Sequence, residues 1–230
     1  MNVLCTFCLR GGSKGVKNKN FLSIKKIPLY QYSFEQGIRS KIFNKFVVSS
    51  DKINKINKHY LSKNFFYLKR PKKLSGDGVG KVKVIRHALM ETEKKYKVKF
   101  DYIFDLDVTS PLRNVGDIKN CFKIMKKKKS DNLITICQAK KNPYFNIVEI
   151  KKNRISLSKS IKKKILSRQQ APKVYEMNAS IYVWKRKYLM KTDNLFSNKT
   201  SYYIMPNERS VDIDNKIDLR IVEMLIKNEK

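Results

Sequence analysis

The chain has 230 residues, 41% of them hydrophobic, with 52 Lys and Arg against 19 Asp and Glu and a formal net charge of +33. That length and apolar content suit one α/β domain with a real core and exclude wholesale disorder. No stretch approaches the 18 or so apolar residues of a membrane span, and "VLCTFCL" near the start is too short for a secretory signal.

The charge has two readings: a polyanion partner such as nucleic acid, or a lysine-, asparagine- and isoleucine-rich composition spread over the whole chain. Lysines occur in nearly every block, without a basic tail or arginine-rich arm, which favours the second.

In chain order, "NVLCTFCL" reads as a buried strand, followed by the Gly-rich loop "RGGSKGVKNKN" at 10–20. "LYQYSFEQGIRS" has helical apolar spacing, "KFVVSS" is a strand, "DKINKINKHYL" a helix and "NFFYL" a short strand. "GKVKVIRHALMETEKKY" is a longer helix, "FDYIFDLDV" a strand, "TSPLRNVGDIKNCFKIMKKKK" a loop and helix, and "NLITICQA" a strand. This alternation predicts a mostly parallel, doubly wound sheet with helices on both faces, with ligands bound beyond the strand C-termini. Residues 140–177 break the pattern: "YFNIVEI", "RISLS" and "RQQAPKVYEM" read as short strands of a β-rich arm that covers the site or pairs with another subunit. "NASIYVW" returns to core strand, and "VDIDNKIDLRIVEMLIKN" ends the chain as loop and amphipathic helix; nothing divides residues 1–230 into separate domains.

Cys5 and Cys8 form a CxxC, but no second ligand pair completes a zinc site, and their odd spacing in a strand points them to opposite faces. They read as two buried thiols in a reducing compartment.

Three groups carry chemistry. After the first strand, glycines let backbone N–H groups approach a phosphate, while Arg10, Ser13 and Lys14 offer charge and hydrogen bonds; the loop fits neither G-x-x-x-x-G-K-[ST] nor G-x-G-x-x-G. Asp212 and Asp214 lie at i, i+2, so extended chain puts both carboxylates on one side, where they suit Mg²⁺. Asp214 also precedes a helical pattern, where it would serve as a cap. Asp105 and Asp107 end a strand and share a face; Thr109 and Ser110 before Pro111 suit a helix entry.

Taken together, "RGGSKGVKNKN", "VVSSD", "KRPKKLSGD", "TSPLR", "MNASIY" and "VDID" resemble the acylneuraminate cytidylyltransferases over the whole chain and in the family's order. The stretches "LDVTSPLRNVGDI", "NPYFNIVEI" and "SRQQAPKVYEMNASIYVWKR" look most like the CMP-legionaminic acid synthetases within it.

The resemblance implies a Rossmann-like nucleotidyltransferase fold, a homodimer joined through the β-rich arm, and a cytoplasmic enzyme of surface glycan or flagellin glycosylation. The implied reaction joins CTP to a nine-carbon 2-keto-3-deoxy sugar acid, giving a CMP-sugar and pyrophosphate. N,N'-diacetyllegionaminic acid is favoured, with N-acetylneuraminic, pseudaminic and ketodeoxyoctulosonic acids as alternatives. A nucleic-acid binder is the remote rival, and it leaves the Asp212/Asp214 pair without a task. The resemblance puts Arg10, Gly11, Gly12, Ser13 and Lys14 on CTP, with Asn20, Arg70 and Asp77. It makes Arg10, Lys14, Asp212 and Asp214 catalytic, the two aspartates holding Mg²⁺ or Mn²⁺. The sugar would meet Asp107, Arg168, Asn178 and Tyr182, with Tyr202 and Tyr203 reaching a partner subunit's site. The two histidines, His59 and His87, lie in no motif, and no general base is identified.

Overall fold

The structure is a computed structural model that describes residues 1–12, 15–57, 64–162 and 164–228. Strand β1 (Val3–Leu9) leads through a small hairpin, β2 (Ser23–Ile24) and β3 (Ile27–Pro28), into helix α1 (Leu29–Ser40). Strand β4 (Lys45–Ser50), strand β5 (Phe65–Lys69), helix α2 (Lys81–Tyr96), strand β6 (Tyr102–Leu106), helix α3 (Val115–Lys127) and strand β7 (Asn132–Gln138) follow. A second hairpin, β8 (Val148–Lys151) and β9 (Arg154–Leu157), precedes the long β10 (Tyr175–Lys185). A short α4 (Arg186–Leu189), β11 (Thr200–Ile204) and α5 (Lys216–Asn228) complete the chain.

Seven strands form one sheet in the order β11-β7-β10-β6-β1-β4-β5. The β1–β4, β1–β6, β4–β5 and β11–β7 pairs are parallel, and β10 runs antiparallel between β6 and β7. The central strand shows why the sheet is buried on both faces: Val3, Cys5, Phe7 and Leu9 pack with α1 and α3, while Leu4 packs with α2 on the other side. Cys5 and Cys8 divide between those faces, as their spacing predicts, and all four cysteines are free thiols. Where α1 crosses the sheet, a Cβ on Gly37 would stand 3.2 Å from Phe7 and 3.3 Å from Phe46, so a small residue sets the approach. A third cluster of Ile24, Leu29, Leu112, Ile213, Val222 and Ile226 seats α5 on the sheet end that carries the loops.

Two expectations are corrected. The helix read into "DKINKINKHYL" is, over its described part, a single 3-10 turn at Ile53–Lys55; residues 58–63 lie outside the described residues. "RQQAPKVYEM" is not a strand of the arm: it begins as a 3-10 turn, and its last residues open β10, which "NASIYVW" continues. The arm is thus the hairpin β8–β9, paired only with itself.

Candidate active site

A cleft of about 570 Å³ opens beyond the carboxyl ends of the parallel strands. The loop after β1 forms one wall. Arg10 ion-pairs with Asp77, and the Gly11 N–H donates to Asp51 Oδ1 at 2.8 Å. Buried Asn20 donates from Nδ2 to the Arg10 carbonyl at 2.8 Å, so it fixes the loop's shape as well as lining the cleft. Gly15 abuts the Asp214 backbone so closely that a Cβ would lie 2.0 Å from its carbonyl oxygen, a contact only glycine permits. A Cβ on Gly12 would meet nothing within 4 Å among the described residues, and Ser13 and Lys14 lie outside them.

Arg70 leaves the end of β5 and is buried. Its Nε donates to Ser49 Oγ at 3.2 Å and its Nη2 to the Ser49 carbonyl at 2.7 Å, which anchors the guanidinium along the cleft.

The floor comes from β6, β10 and the first residue of α2. The Lys81 ammonium lies 2.9 Å from Asp105 Oδ2, donates to Asp107 Oδ2 at 2.7 Å, and stands 4.6 Å from the Tyr182 ring centre. Asp105 is fully buried and accepts from Thr6 Oγ1 at 2.6 Å. Asp107 Oδ1 accepts from the Thr109 N–H at 3.2 Å and its hydroxyl at 2.9 Å. Burial works against the ammonium, but Asp105 and Asp107 overcome it and hold Lys81 well above its ordinary range. Burial likewise raises Asp107, yet Lys81 and Thr109 win and carry it down to about 2. Thr109 therefore serves Asp107, and the helix entry falls to Asn114, whose capping box with Asp117 starts α3.

Behind this floor Arg113 is 2% exposed. Its Nη1 donates to the Ser180 carbonyl at 2.8 Å and its Nη2 to the Asp107 carbonyl at 2.6 Å, with a further bond to Ser33 Oγ. Burial disfavours the cation and brings it down to about 10, against the attraction of Asp107 and its neighbours.

Asp212 and Asp214 face the β1 loop across the cleft. The capping role open to Asp214 is filled by others: Asn215 Oδ1 accepts from the N–H groups of Ile217 and Asp218 at 2.8 and 3.1 Å, and Asp218 Oδ2 accepts from Asp214 and Asn215. The Asp214 carboxylate is left exposed and ion-paired to Lys19 at 2.9 Å. Among the described residues, Asp212 Oδ1 is buried with no hydrogen-bond partner. Burial, with the charge of Asp107 adding to it, raises the Asp212 carboxyl to about 6, against the pull of Thr109 and Lys19. An orphaned carboxylate oxygen beside a second, open carboxylate is a donor set that fits a hard divalent cation keeping most of its waters.

Asn178 is buried next to this centre. It accepts from Thr135 Oγ1 at 2.6 Å and donates to Ser210 Oγ at 2.9 Å, and it lines a second cavity of about 390 Å³ that shares Asp212 and Asp214 with the cleft. It is held there by a bulge in β10, where Ala179 takes φ 53°, a left-handed conformation unusual for a residue with a Cβ. The structure brings Arg10, Asn20, Arg70, Asp77, Asp107, Asp212 and Asp214 to one cleft. It does not bring Arg168, Tyr202 or Tyr203 there within one chain. Arg168 is exposed and donates to the Lys140 carbonyl at 3.0 Å. Tyr203 bonds Asp117 at 3.1 Å, and Tyr202 is 51% exposed on the edge strand. Sequence reasoning missed Lys81 and Arg113; the one sat among many lysines, the other inside TSPLR, where the resemblance gave its arginine no role.

This arrangement, with a loop after the first strand facing two carboxylates over the carboxyl edge of a parallel sheet, is that of a nucleotidyltransferase fold. A cytidylyltransferase family model matches residues 8–229, and the chain belongs to that family. It is 43% identical over 226 residues to a CMP-N,N'-diacetyllegionaminic acid synthase of Campylobacter jejuni subsp. jejuni, covering 97% of this chain and 94% of that one. It is 42% identical over 229 residues to the post-translational flagellin modification protein B of Campylobacter coli, covering 99% and 96%. In fold it is similar to a CMP:2-keto-3-deoxy-manno-octonic acid synthetase complexed with CTP, with a TM-score of 0.69 over all of both chains at 14% identity.

Proposed function

We propose that the protein is a cytidylyltransferase that activates N,N'-diacetyllegionaminic acid with CTP, giving the CMP-sugar and pyrophosphate, in surface glycan or flagellin modification. The observation that carries the reaction class is the meeting of the β1 loop and the Asp212–Asp214 segment at Gly15 and Lys19, in one cleft. The choice of sugar is supported by the 43% identity to the legionaminic acid synthase, against 27% to a pseudaminic acid cytidylyltransferase of the same organism.

In this reading the C2 hydroxyl of the sugar gives up its proton to solvent as its oxygen bonds to the α-phosphorus, the bond from the α-phosphorus to the bridging oxygen breaks, and pyrophosphate leaves. Such a transfer needs positioning and charge neutralisation more than covalent help. Arg10 and Lys14 neutralise charge on the leaving phosphates, Gly12 and Ser13 present donors to them, and Gly11, whose N–H is held by Asp51, lets the backbone approach closely. Asn20 holds the loop, and Arg70 and Asp77 bound the nucleotide end. Asp212 and Asp214 would hold Mg²⁺ or Mn²⁺, which when bound supplies Lewis-acid charge at the α-phosphate. Pyrophosphate release is the test, with CTP and a panel of legionaminic, pseudaminic, N-acetylneuraminic and ketodeoxyoctulosonic acids. The expected result is the highest kcat/KM with N,N'-diacetyllegionaminic acid and full loss with EDTA. A better rate with another sugar would reassign the substrate, and a panel with no active member would remove the reading.

A homodimer is part of the proposal. The β8–β9 hairpin pairs Val148 with Leu157 and Ile150 with Ile155, and these four side chains are 43–75% exposed. A two-stranded hairpin is marginal alone in water, and an uncovered apolar face is a surface for a partner. In this reading Tyr202 and Tyr203 are the residues that reach the partner subunit's site. Ile150→Asp is expected to convert the dimer to a monomer in light scattering; a wild type already monomeric at micromolar concentration would exclude the dimer. No helix among the described residues is long and apolar enough to cross a membrane, and four unpaired thiols support a cytoplasmic setting.

A further inference from the structure

We propose that Lys81 is the side chain that reads a neutral oxygen of the sugar acid, an acyl carbonyl or hydroxyl, and that Asp107 acts through it as a positioning residue. The inference rests on the reaction proposed above and changes the part assigned to Asp107, which sequence reasoning placed directly on the sugar.

Hydrogen-bonding capacity is the first ground. An ionised carboxylate accepts and never donates. Asp107 already accepts twice at Oδ1, from Thr109, and at Oδ2 from Lys81. Its oxygens are largely satisfied inside the protein. An ammonium has three donors. The Lys81 ammonium donates to Asp107 and ion-pairs with Asp105, and the side chain, 32% exposed, lines the cleft with donor capacity to spare.

Rigidity is the second ground. A lysine on a surface has a flexible stem, and ordering it costs conformational entropy. Here the stem leaves the first residue of α2, and the ammonium is clamped between two carboxylates and over the face of Tyr182. Tyr182 is itself stacked on Trp184 at 5.5 Å. A donor fixed this way selects by position.

Charge decides the ligand. Lys81 with Asp105 and Asp107 sums to one negative charge, Arg113 behind the Asp107 carbonyl balances it, and the nearby Asp212 adds no positive charge. Such a group offers no net attraction to a triphosphate, whereas its remaining N–H suits an uncharged acceptor. Its direct partners are Asp105 of β6, Asp107 just after it and Tyr182 of β10, and none belongs to the nucleotide-binding set of Arg10, Asn20, Arg70 and Asp77.

The test is steady-state kinetics with CTP and N,N'-diacetyllegionaminic acid varied in turn. Lys81→Met is expected to raise the KM for the sugar acid about 10- to 100-fold, the loss of one charge-assisted hydrogen bond, with the KM for CTP within about 2-fold. Lys81→Arg keeps the charge and moves the donor, so it should fold normally and still raise the sugar KM. Asp107→Asn should act in the same direction, and the double variant Lys81→Met/Asp107→Asn should be no worse than Lys81→Met alone. Additive losses, a rise in the CTP KM instead, or a fall in kcat alone would overturn the assignment. A wild type inactive with every sugar acid would overturn the functional reading, and this inference with it.

Discussion

Asp212→Ala is expected to lower CMP-sugar synthesis about 10³-fold while leaving the thermal midpoint, measured in EDTA, unchanged or higher. The two effects have one cause. Among the described residues the Asp212 Oδ1 is buried without a partner, and the carboxylate stands near the like charges of Asp107 and Asp214. A buried polar atom without a partner destabilises the fold by roughly 1–3 kcal/mol, so removing it costs the fold nothing. A residue kept in that state is kept for chemistry, which is the usual opposition of activity and stability. Asp212→Asn should lose activity to a similar degree, because the charge and not the shape is at issue. Near-normal turnover by either variant, or a midpoint lowered by several degrees, would refute the assignment.

Arg113→Ala is expected to have the opposite signature, a loss of about 4 kcal/mol in stability, read as a lowered urea midpoint and a thermal midpoint down by on the order of 10 °C. The guanidinium joins the end of β6 at the Asp107 carbonyl, the β10 bulge at Ser180 and helix α1 at Ser33. Deleting it leaves those acceptors buried and unpaired and opens a cavity in the same place. Arg113→Lys should recover only part of the loss, because one ammonium lacks the planar spread of donors that reaches three elements. A loss below about 1 kcal/mol for Arg113→Ala would show that water or a neighbouring side chain takes over these bonds.

The parallel sheet was legible because its strands are apolar runs bounded by glycine or polar loops, and its helices carry a 3.6-residue stripe. Strand β11 was not, since "TSYYI" is a short edge strand whose exposed tyrosine gives no continuous apolar run. Strand β10 was read as two pieces because the kink at Ala179 interrupts its alternation, and that kink is set by tertiary contacts of Asn178. In the cleft, Arg10, Asp107 and the Asp212/Asp214 pair stood out as strand-end or clustered residues. Lys81 gave no local signal: it is one of 52 basic residues, and only the folded chain sets it between Asp105 of β6 and Asp107 just beyond it. Asp214 looked like a helix cap in one dimension, and the competition with Asn215 and Asp218 could be resolved only by the hydrogen bonds themselves.

The four thiols have a practical consequence. Cys5, Cys121 and Cys137 are buried, and burial pushes every one of the four upward, Cys5 and Cys8 further through neighbouring Asp105. Because the thiolate is the reacting form, the native protein is close to silent toward maleimides and mild oxidants at neutral pH. A single cysteine placed on the β8–β9 hairpin would then be the one readily labelled position, so fluorescent or spin probes can be attached there without first rebuilding the core.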